Sequence, residues 1–341
     1  MEGKNRKLYL DETHRLWLEE EEIPTPGPGE VLVKIFANGI CGSDVHFYHE
    51  GKLGVFTVDR PYVPGHEASG TVAGLGEGAK RFQVGDKVVV EPGIPCGRCK
   101  SCKEGRYNLC PDVVFLSAPP IDGTFCDYIT IDENFLFPVP GGLSMELAAL
   151  AEPAAVAIHA ANRAHFRAGD TGVIVGAGPI GLLTLQAFKA AGGGQAICVD
   201  LIPSRLELAK KLGADRVWNP STDGEVPSEL GEVVFETAGS SVTTAQLFRI
   251  ARRGGKVVQV GWPNGNVVAL DVAMMMDKEI DYIGLNRYAN VFDTALTWLA
   301  DGRIGGEALI TQRFSLKEAP AAFDWALNHA AETVKVMVLN G

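Results

Sequence analysis

From Gly169 onward the chain alternates apolar run, glycine turn, helical pattern and apolar run, and this alternation constrains the fold more than any other feature. GVIV (172–175) is followed by PIGLLTLQAFKAA, AICVD and SRLELAKKLGA. Apolar runs joined by helical crossovers imply a parallel sheet with helices over its faces, because parallel neighbours need a long crossover and are buried on both sides. Further strand candidates are EVVFETAG (232–239), KVVQVG (256–261) and IDYIGL (280–285). Between Lys7 and about Thr130 the pattern differs: short β-branched runs such as VLVKIFA (31–37) and KVVV (87–90) stand between Gly, Pro and Asp turns, which predicts a β-rich domain. Ser144 is placed to cap a helix through MELAALAEPAAVAIHAANRA, with Pro153 expected at a kink or break. The tail is mixed, with a helix near Val291 to Ala300, a strand near Leu309 to Phe314, a helix near Leu316 to Leu327 and a last strand VKVMVL. Periodicity does not say where this tail docks. A length of 341 residues suits two such domains better than one core.

Bulk properties narrow the ligand class. A formal charge of -11 opposes general affinity for nucleic acid or anionic membrane, so small molecules are the expected ligands. The charged N-terminus predicts no secretion signal, and the apolar stretch Leu143 to Ala161 is interrupted by Glu146, Glu152 and Pro153, so no membrane span is expected. The expected location is the cytoplasm. Four of the seven cysteines fall between Cys96 and Cys110, a use that fits metal ligation in a reducing compartment better than a disulfide framework.

Gly176-Ala177-Gly178-Pro179-Ile180-Gly181 is a GxGxxG between an apolar strand and a helix. There the first glycine permits a tight turn, the second lets a pyrophosphate approach the backbone, and the third lets helix and strand pack closely, with the helix N-terminus facing the phosphates. Asp200 ends the next strand, 19 residues beyond Gly181, where a carboxylate accepts from a ribose 2′-hydroxyl and repels a 2′-phosphate. NAD is the expected coenzyme. Asp200 as a plain loop cap is the ordinary alternative, and Arg205 reads as an adenine-stacking residue, a phosphate partner or a solvated helix residue. The cofactor-contacting set also takes in Val260 and Gly261 at the end of one strand run, and Leu285, Asn286 and Arg287 at and beyond the end of another.

Cys96-x2-Cys99-x2-Cys102-x7-Cys110 supplies four thiolates in one short loop, the closed donor set of a structural zinc. A second donor set is dispersed: Cys41 in GICGSD, His66 and Glu67 in GHE, and Glu152 in AEPAA. One thiolate, one imidazole and carboxylates bind zinc and leave an open position, as catalysis requires. Singly, each also reads as a core thiol, a turn histidine, a solvated charge or a helix acid. Cys126 and Cys198, alone in strand-like runs, are expected in the core, and His49 and His159 are expected to be structural.

At these residues the chain resembles the zinc-containing medium-chain dehydrogenases, and within them the polyol dehydrogenases of the sorbitol and xylitol type. GHE followed by Gly70 and Gly76 is similar to the family's zinc signature, with Ala79 where a valine is common. GICGSDVHFYHEG, GRYNLC, GTFCDYI, the Glu152-Pro153 pair, GAGPIGL and Arg287-Tyr288 resemble polyol dehydrogenase segments in the same order. The resemblance implies an α/β protein: a GroES-like catalytic domain from residues 1–154 and 287–341 around a Rossmann coenzyme domain of 155–286. It implies a catalytic zinc at Cys41, His66 and Glu67, with Glu152 as a nearby or direct ligand, and Arg287 and Tyr288 as partners of substrate hydroxyls. Phe47 stands where sorbitol dehydrogenases usually have a substrate-contacting tyrosine. Dimers or tetramers are implied, and the IDYIGL strand is a candidate for pairing across a two-fold axis.

The chemistry expected of such a site is NAD-linked oxidation of a secondary alcohol, the metal making the substrate hydroxyl more acidic. Ser43 and His46 are candidates to relay the proton outward, and Glu152 to act through a water; Ser43 as an N-cap is the alternative. A sugar polyol is the expected substrate. A cyclitol, an amino alcohol or threonine forms the second reading, and a non-catalytic protein on the same fold the third.

Overall fold

The computed structural model describes residues 3–263 and 266–340. The chain divides into two compact units, Met1–Glu152 with Phe292–Ala300 and Leu309–Gly341, and Pro153–Val291 with Asp301–Ala308.

The second unit is built on six parallel strands in the order Arg216–Trp218, Ala196–Val199, Gly172–Val175, Gly231–Glu236, Ala251–Gln259, Asp281–Gly284. All four residues of GVIV and of AICV are buried, as strands covered on both faces must be. Val173, Val175, Ile197, Val199, Val234 and Val257 form one core with Leu247, Phe248 and Ile250 of the helix Ser241–Ile250. Strand order reverses between Gly172–Val175 and Gly231–Glu236, which opens a crevice at their carboxyl ends. The residues expected to end two strands, TAG (237–239) and VG (260–261), lie beyond the strands in the loops at that end.

In the first unit a sheet runs in the order Leu136–Pro138, Lys87–Val90, Glu67–Leu75, Glu30–Gly39, Lys335–Leu339, Ile310–Ser315. Its central strand, Glu30–Gly39, pairs along its first half with Tyr128–Asp132 and along its second with the C-terminal strand. Sequence-distant segments therefore share one core, in which Val336 and Val338 pack with Leu8, Ile40 and Phe323. This places the tail. The expected helix after Ser144 is two helices, Met145–Ala149 and Ala151–Ala164. Ser144 caps the first, accepting from the Leu147 N–H at 3.2 Å. The break falls at Leu150, and Pro153 sits in the first turn of the second helix, where a missing N–H costs nothing. Glu152 occupies the same turn, where the helix dipole favours a carboxylate. No helix among the described residues is long and apolar enough to cross a membrane.

Candidate metal and dinucleotide sites

The strand Glu30–Gly39 delivers Cys41 to the start of the helix Gly42–Glu50, and the strand Glu67–Leu75 begins directly opposite, with Glu67 paired to Gly39. Ligand atoms of Cys41, His66 and Glu67 lie within 4.8 Å of one another. Gly39 makes this possible, since a Cβ there would sit 2.1 Å from Glu67 Oε2. Cys41, rather than Ser43, is the N-cap: Asp44, three residues on, accepts the Cys41 N–H at 3.0 Å in a capping box. Ser43 is half-buried in the first turn.

The donor set fits a cation. His66 is buried, and its Nδ1 has no hydrogen-bond partner, the nearest acidic oxygen being Asp44 Oδ1 at 3.7 Å. Burial opposes a charged imidazole, yet the charges of Asp44, Cys41 and Glu152 hold the His66 pKa well above the ordinary histidine value. So much negative potential around an imidazole and a thiol favours a bound divalent metal. Glu152 is buried outside the tight cluster, and its charge acts on both His66 and Lys335. Glu67 is already paired, with Lys335 Nζ donating to both of its oxygens at 2.7 Å and to the Ile40 carbonyl at 3.0 Å. Both members of this pair are buried.

The remaining residues of the expected catalytic and substrate sets are spread out. His46 is half-exposed, with Nδ1 3.0 Å from Glu50 Oε1. Phe47, expected in the substrate set, is 4% exposed and its ring lies edge-on to Tyr62, in an apolar cluster with Leu10 and Val58. One position beyond His46, helical geometry turns Phe47 onto the inner face of the helix. Arg287 and Tyr288 belong to the second unit, where Arg287 has left-handed backbone (φ 51°) and Tyr288 is buried.

Cys96, Cys99, Cys102 and Cys110 bring their Sγ atoms within 4.8 Å of one another. Backbone N–H groups already point at the sulfurs, Cys96 N to Cys110 Sγ at 3.3 Å and Cys99 N to Cys96 Sγ at 3.4 Å. The N–H groups of Arg98 and Cys99 lower the Cys96 thiol to about 7, whereas desolvation and the neighbouring thiols push Cys102 up to about 12, so the four sulfurs ionise together only with a cation to share them. Cys126 and Cys198 are buried, and burial pushes both thiols up to about 12. Burial also lowers His159, to about 4.

Beside this lobe, Tyr107 Oη donates to Glu91 Oε1 at 2.9 Å, and burial pushes the Glu91 carboxyl up to about 7. Relative to an unfolded value of 4.5, Glu91 favours the fold fully below pH 4.5 and loses that contribution as pH rises through 7. Glu91→Gln is therefore expected to gain stability over the parent as pH increases across this window, by up to about 3 kcal/mol at pH 8. Urea denaturation of both proteins at pH 5 and pH 8 checks this; an equal difference at the two pH values would refute it.

In the second unit each glycine of the GxGxxG has a distinct role. Gly176 is left-handed (φ 100°) with its Cβ direction against Ala238 N at 2.7 Å, and a Cβ on Gly181 would strike Gly176 O at 1.8 Å. Gly178, the N-cap of the helix Pro179–Ala190, faces open space up to Arg205, whose guanidinium is 3.8 Å from the Cβ direction. Asp200 braces the loop, accepting from Ala177 N at 2.6 Å and Ile202 N at 2.8 Å. Across the crevice the N–H groups of Val260 and Gly261 both donate to the Glu236 carbonyl at 2.9 Å, and Leu285 N donates to Gln259 O at 3.1 Å. Asn286 is exposed just beyond.

Sequence reasoning missed Asp44, Lys335 and Glu236. Asp44 carried a signal, its capping-box spacing from Cys41. Lys335 carried a fainter one, a lone lysine in the apolar run VKVMVL. Glu236 is fully buried, receiving the Ala238 and Gly239 N–H groups and the Thr243 hydroxyl, and so organises the loop at the crevice.

A β-rich unit carrying a Cys–His–Glu donor set and a four-thiolate lobe, in one chain with a doubly wound sheet and its glycine loop, defines a class of metal-binding, dinucleotide-linked dehydrogenases. Residues 27–141 match the family described as Alcohol dehydrogenase GroES-like domain, and residues 179–301 the family described as Zinc-binding dehydrogenase. The chain is 43% identical over 340 residues to a sorbitol dehydrogenase of Bacillus subtilis, covering 98% of this chain and 96% of that one. It is 38% identical to the human sorbitol dehydrogenase, covering 94% and 92% of the two chains. Among solved structures, L-idonate 5-dehydrogenase from Escherichia coli superposes with a TM-score of 0.93 at 33% identity, over 99% of each chain. The chain belongs to the zinc-containing medium-chain dehydrogenase family.

Proposed function

We propose that this protein oxidises a secondary hydroxyl of a sugar polyol to the ketone, with NAD as hydride acceptor. The observation that carries the reading is the clustered Cys41–His66–Glu67 donor set, with His66 and Glu67 buried and Cys41 partly exposed, of open catalytic rather than closed structural composition. The substrate class is supported by the likeness to sorbitol and L-idonate dehydrogenases over nearly the whole chain. In this reading residues 1–154 and 287–341 form the catalytic domain and residues 155–286 the coenzyme domain.

Cys41, His66 and a carboxylate, Glu67 or Glu152, hold the catalytic zinc; Cys96, Cys99, Cys102 and Cys110 hold a structural one. The catalytic ion supplies Lewis acidity, which makes an alcohol hydroxyl acidic enough to ionise near neutral pH. Ser43 takes the hydroxyl proton onto Oγ and passes it to His46, whose half-exposed ring, beside Glu50, releases it to solvent. Arg287 and Tyr288 bind the neighbouring hydroxyls that distinguish a polyol from a simple alcohol. The open backbone at Gly178 and the N-terminus of Pro179–Ala190 receive the pyrophosphate. Asp200 accepts from the adenosine ribose and disfavours NADP, with Arg205 alongside.

The assembly is a homodimer or homotetramer, supported by the edge strand Asp281–Gly284 and by the exposed Val272, Met276 and Tyr282 near it. A cytoplasmic location is supported by the seven free cysteines.

Initial rates with NAD over sorbitol, xylitol, L-threonine, a cyclitol, ethanol and 2-propanol test the function. Expected is a kcat/KM for a polyol about 100-fold or more above that for 2-propanol, since buried polar groups left without partners penalise an aliphatic substrate. Turnover of threonine or the cyclitol with no polyol oxidised would overturn the substrate class and leave the metal and coenzyme sites standing.

A further inference from the structure

The loop that closes the four-thiolate lobe also reaches the other donor set. The lobe is an excursion between the strands Gly93–Ile94 and Val114–Phe115, which pair with each other, and Leu116 N donates to Pro92 O at 3.0 Å just beyond them. From this closing strand the chain makes two contacts with the Cys41–His66 cluster. The Phe115 ring lies against the His66 ring, with centroids 5.5 Å apart. Ser117 Oγ donates to Asp44 Oδ1 at 2.8 Å and accepts the Gly65 N–H at 2.8 Å.

Both ends of that hydroxyl bridge bear on the metal ligands. Asp44 is fully buried, holds the Cys41 N–H through Oδ2 and faces His66 Nδ1 through Oδ1. Gly65 is the peptide next to His66. Ser117 is 2% exposed and sits in left-handed backbone (φ 69°), a conformation that disfavours side chains other than glycine. A serine kept there, where glycine would be unstrained, points to a use for its hydroxyl.

We infer that Ser117 is a positioning residue for the Cys41–His66 metal site: seated by the thiolate lobe, its hydroxyl fixes the Asp44 carboxylate and the Gly65 peptide, and through them the aim of His66. Groups that hydrogen-bond a metal ligand directly typically govern affinity by about 10- to 100-fold; Ser117 acts one step further out, through Asp44 and the Gly65 peptide, so the lower end of that range applies. The inference rests on the metal reading given under Proposed function.

Ser117→Ala and Ser117→Gly together test it, because both remove the hydroxyl and only the second relieves the backbone. Zinc affinity is measured by chelator competition on the full-length protein, and the catalytic site is also filled with cobalt and its ligand-field absorption recorded. Expected is about a tenfold loss of zinc affinity at the Cys41–His66 site in both variants, with an altered cobalt spectrum. The thiolate lobe should keep its metal, and Ser117→Gly should be at least as thermostable as Ser117→Ala. Parental affinity and spectrum in both variants would overturn the inference. A parent protein that binds metal at the thiolate lobe alone would instead overturn the metal reading, and this inference with it.

Discussion

His66→Ala is expected to lower kcat/KM by about a thousandfold or more while leaving the protein folded. The imidazole is the nitrogen donor in a cluster otherwise made of a thiol and a carboxylate, with Asp44 Oδ1 3.7 Å from its Nδ1 and the Phe115 ring packed beside it. Removing it deletes a ligand, and the Lewis acidity that goes with a well-held metal is worth several kcal/mol to the transition state, each 1.4 kcal/mol being about tenfold in rate. His66 contributes less to the fold, since it belongs to neither of the apolar clusters built around Val33, Ile35 and Val72 and around Leu8 and Phe323. NADH formation over a range of polyol concentrations at saturating coenzyme, with a thermal melt of the same sample, measures both quantities. A variant that melts like the parent and retains a tenth of its activity would remove His66 from the catalytic site.

The second large effect concerns stability. Lys335→Met leaves Glu67 buried with its main counter-charge gone, and breaking a buried pair from one side costs about 3–5 kcal/mol. Lys335 is 3% exposed and Glu67 1%, so water cannot take over the lost hydrogen bonds. The charges of Glu67, Cys41 and Glu152 outweigh burial and raise the Lys335 pKa, so the ammonium is the resident form. Adding Glu67→Gln to Lys335→Met should restore a large part of the loss, because the uncompensated carboxylate, rather than the missing lysine, carries most of the cost. Urea denaturation of the parent, both single variants and the double variant gives the coupling. A loss below about 1 kcal/mol in Lys335→Met would show that Glu67 has another partner of equal strength.

Local spacing is what the sequence could express, and it determined the doubly wound sheet, the glycine loop with Asp200 at its strand end, and the four-cysteine lobe. Each of these lies within one short stretch of chain, so a turn, a helix start or a loop of thiolates is specified by neighbours and needs no knowledge of the rest. The Ser144 cap is of the same kind. Where two local signals competed, the position within the turn decided: the helix breaks at Leu150 although Pro153 is the stronger breaker, because a proline in a first turn offends nothing. Phe47 stands by resemblance at a substrate-contacting position, and its packing against Tyr62 was not legible, since burial depends on the face a helix presents to partners far away in sequence. Only the fold could join Glu67 to Lys335, 268 positions apart, or Asp44 to Ser117, 73 apart. Such pairs leave no spacing to read. They form where the C-terminal strand docks beside Glu30–Gly39 and where the thiolate lobe closes, and what selects them is the cost of burying a charge or a hydroxyl without a partner.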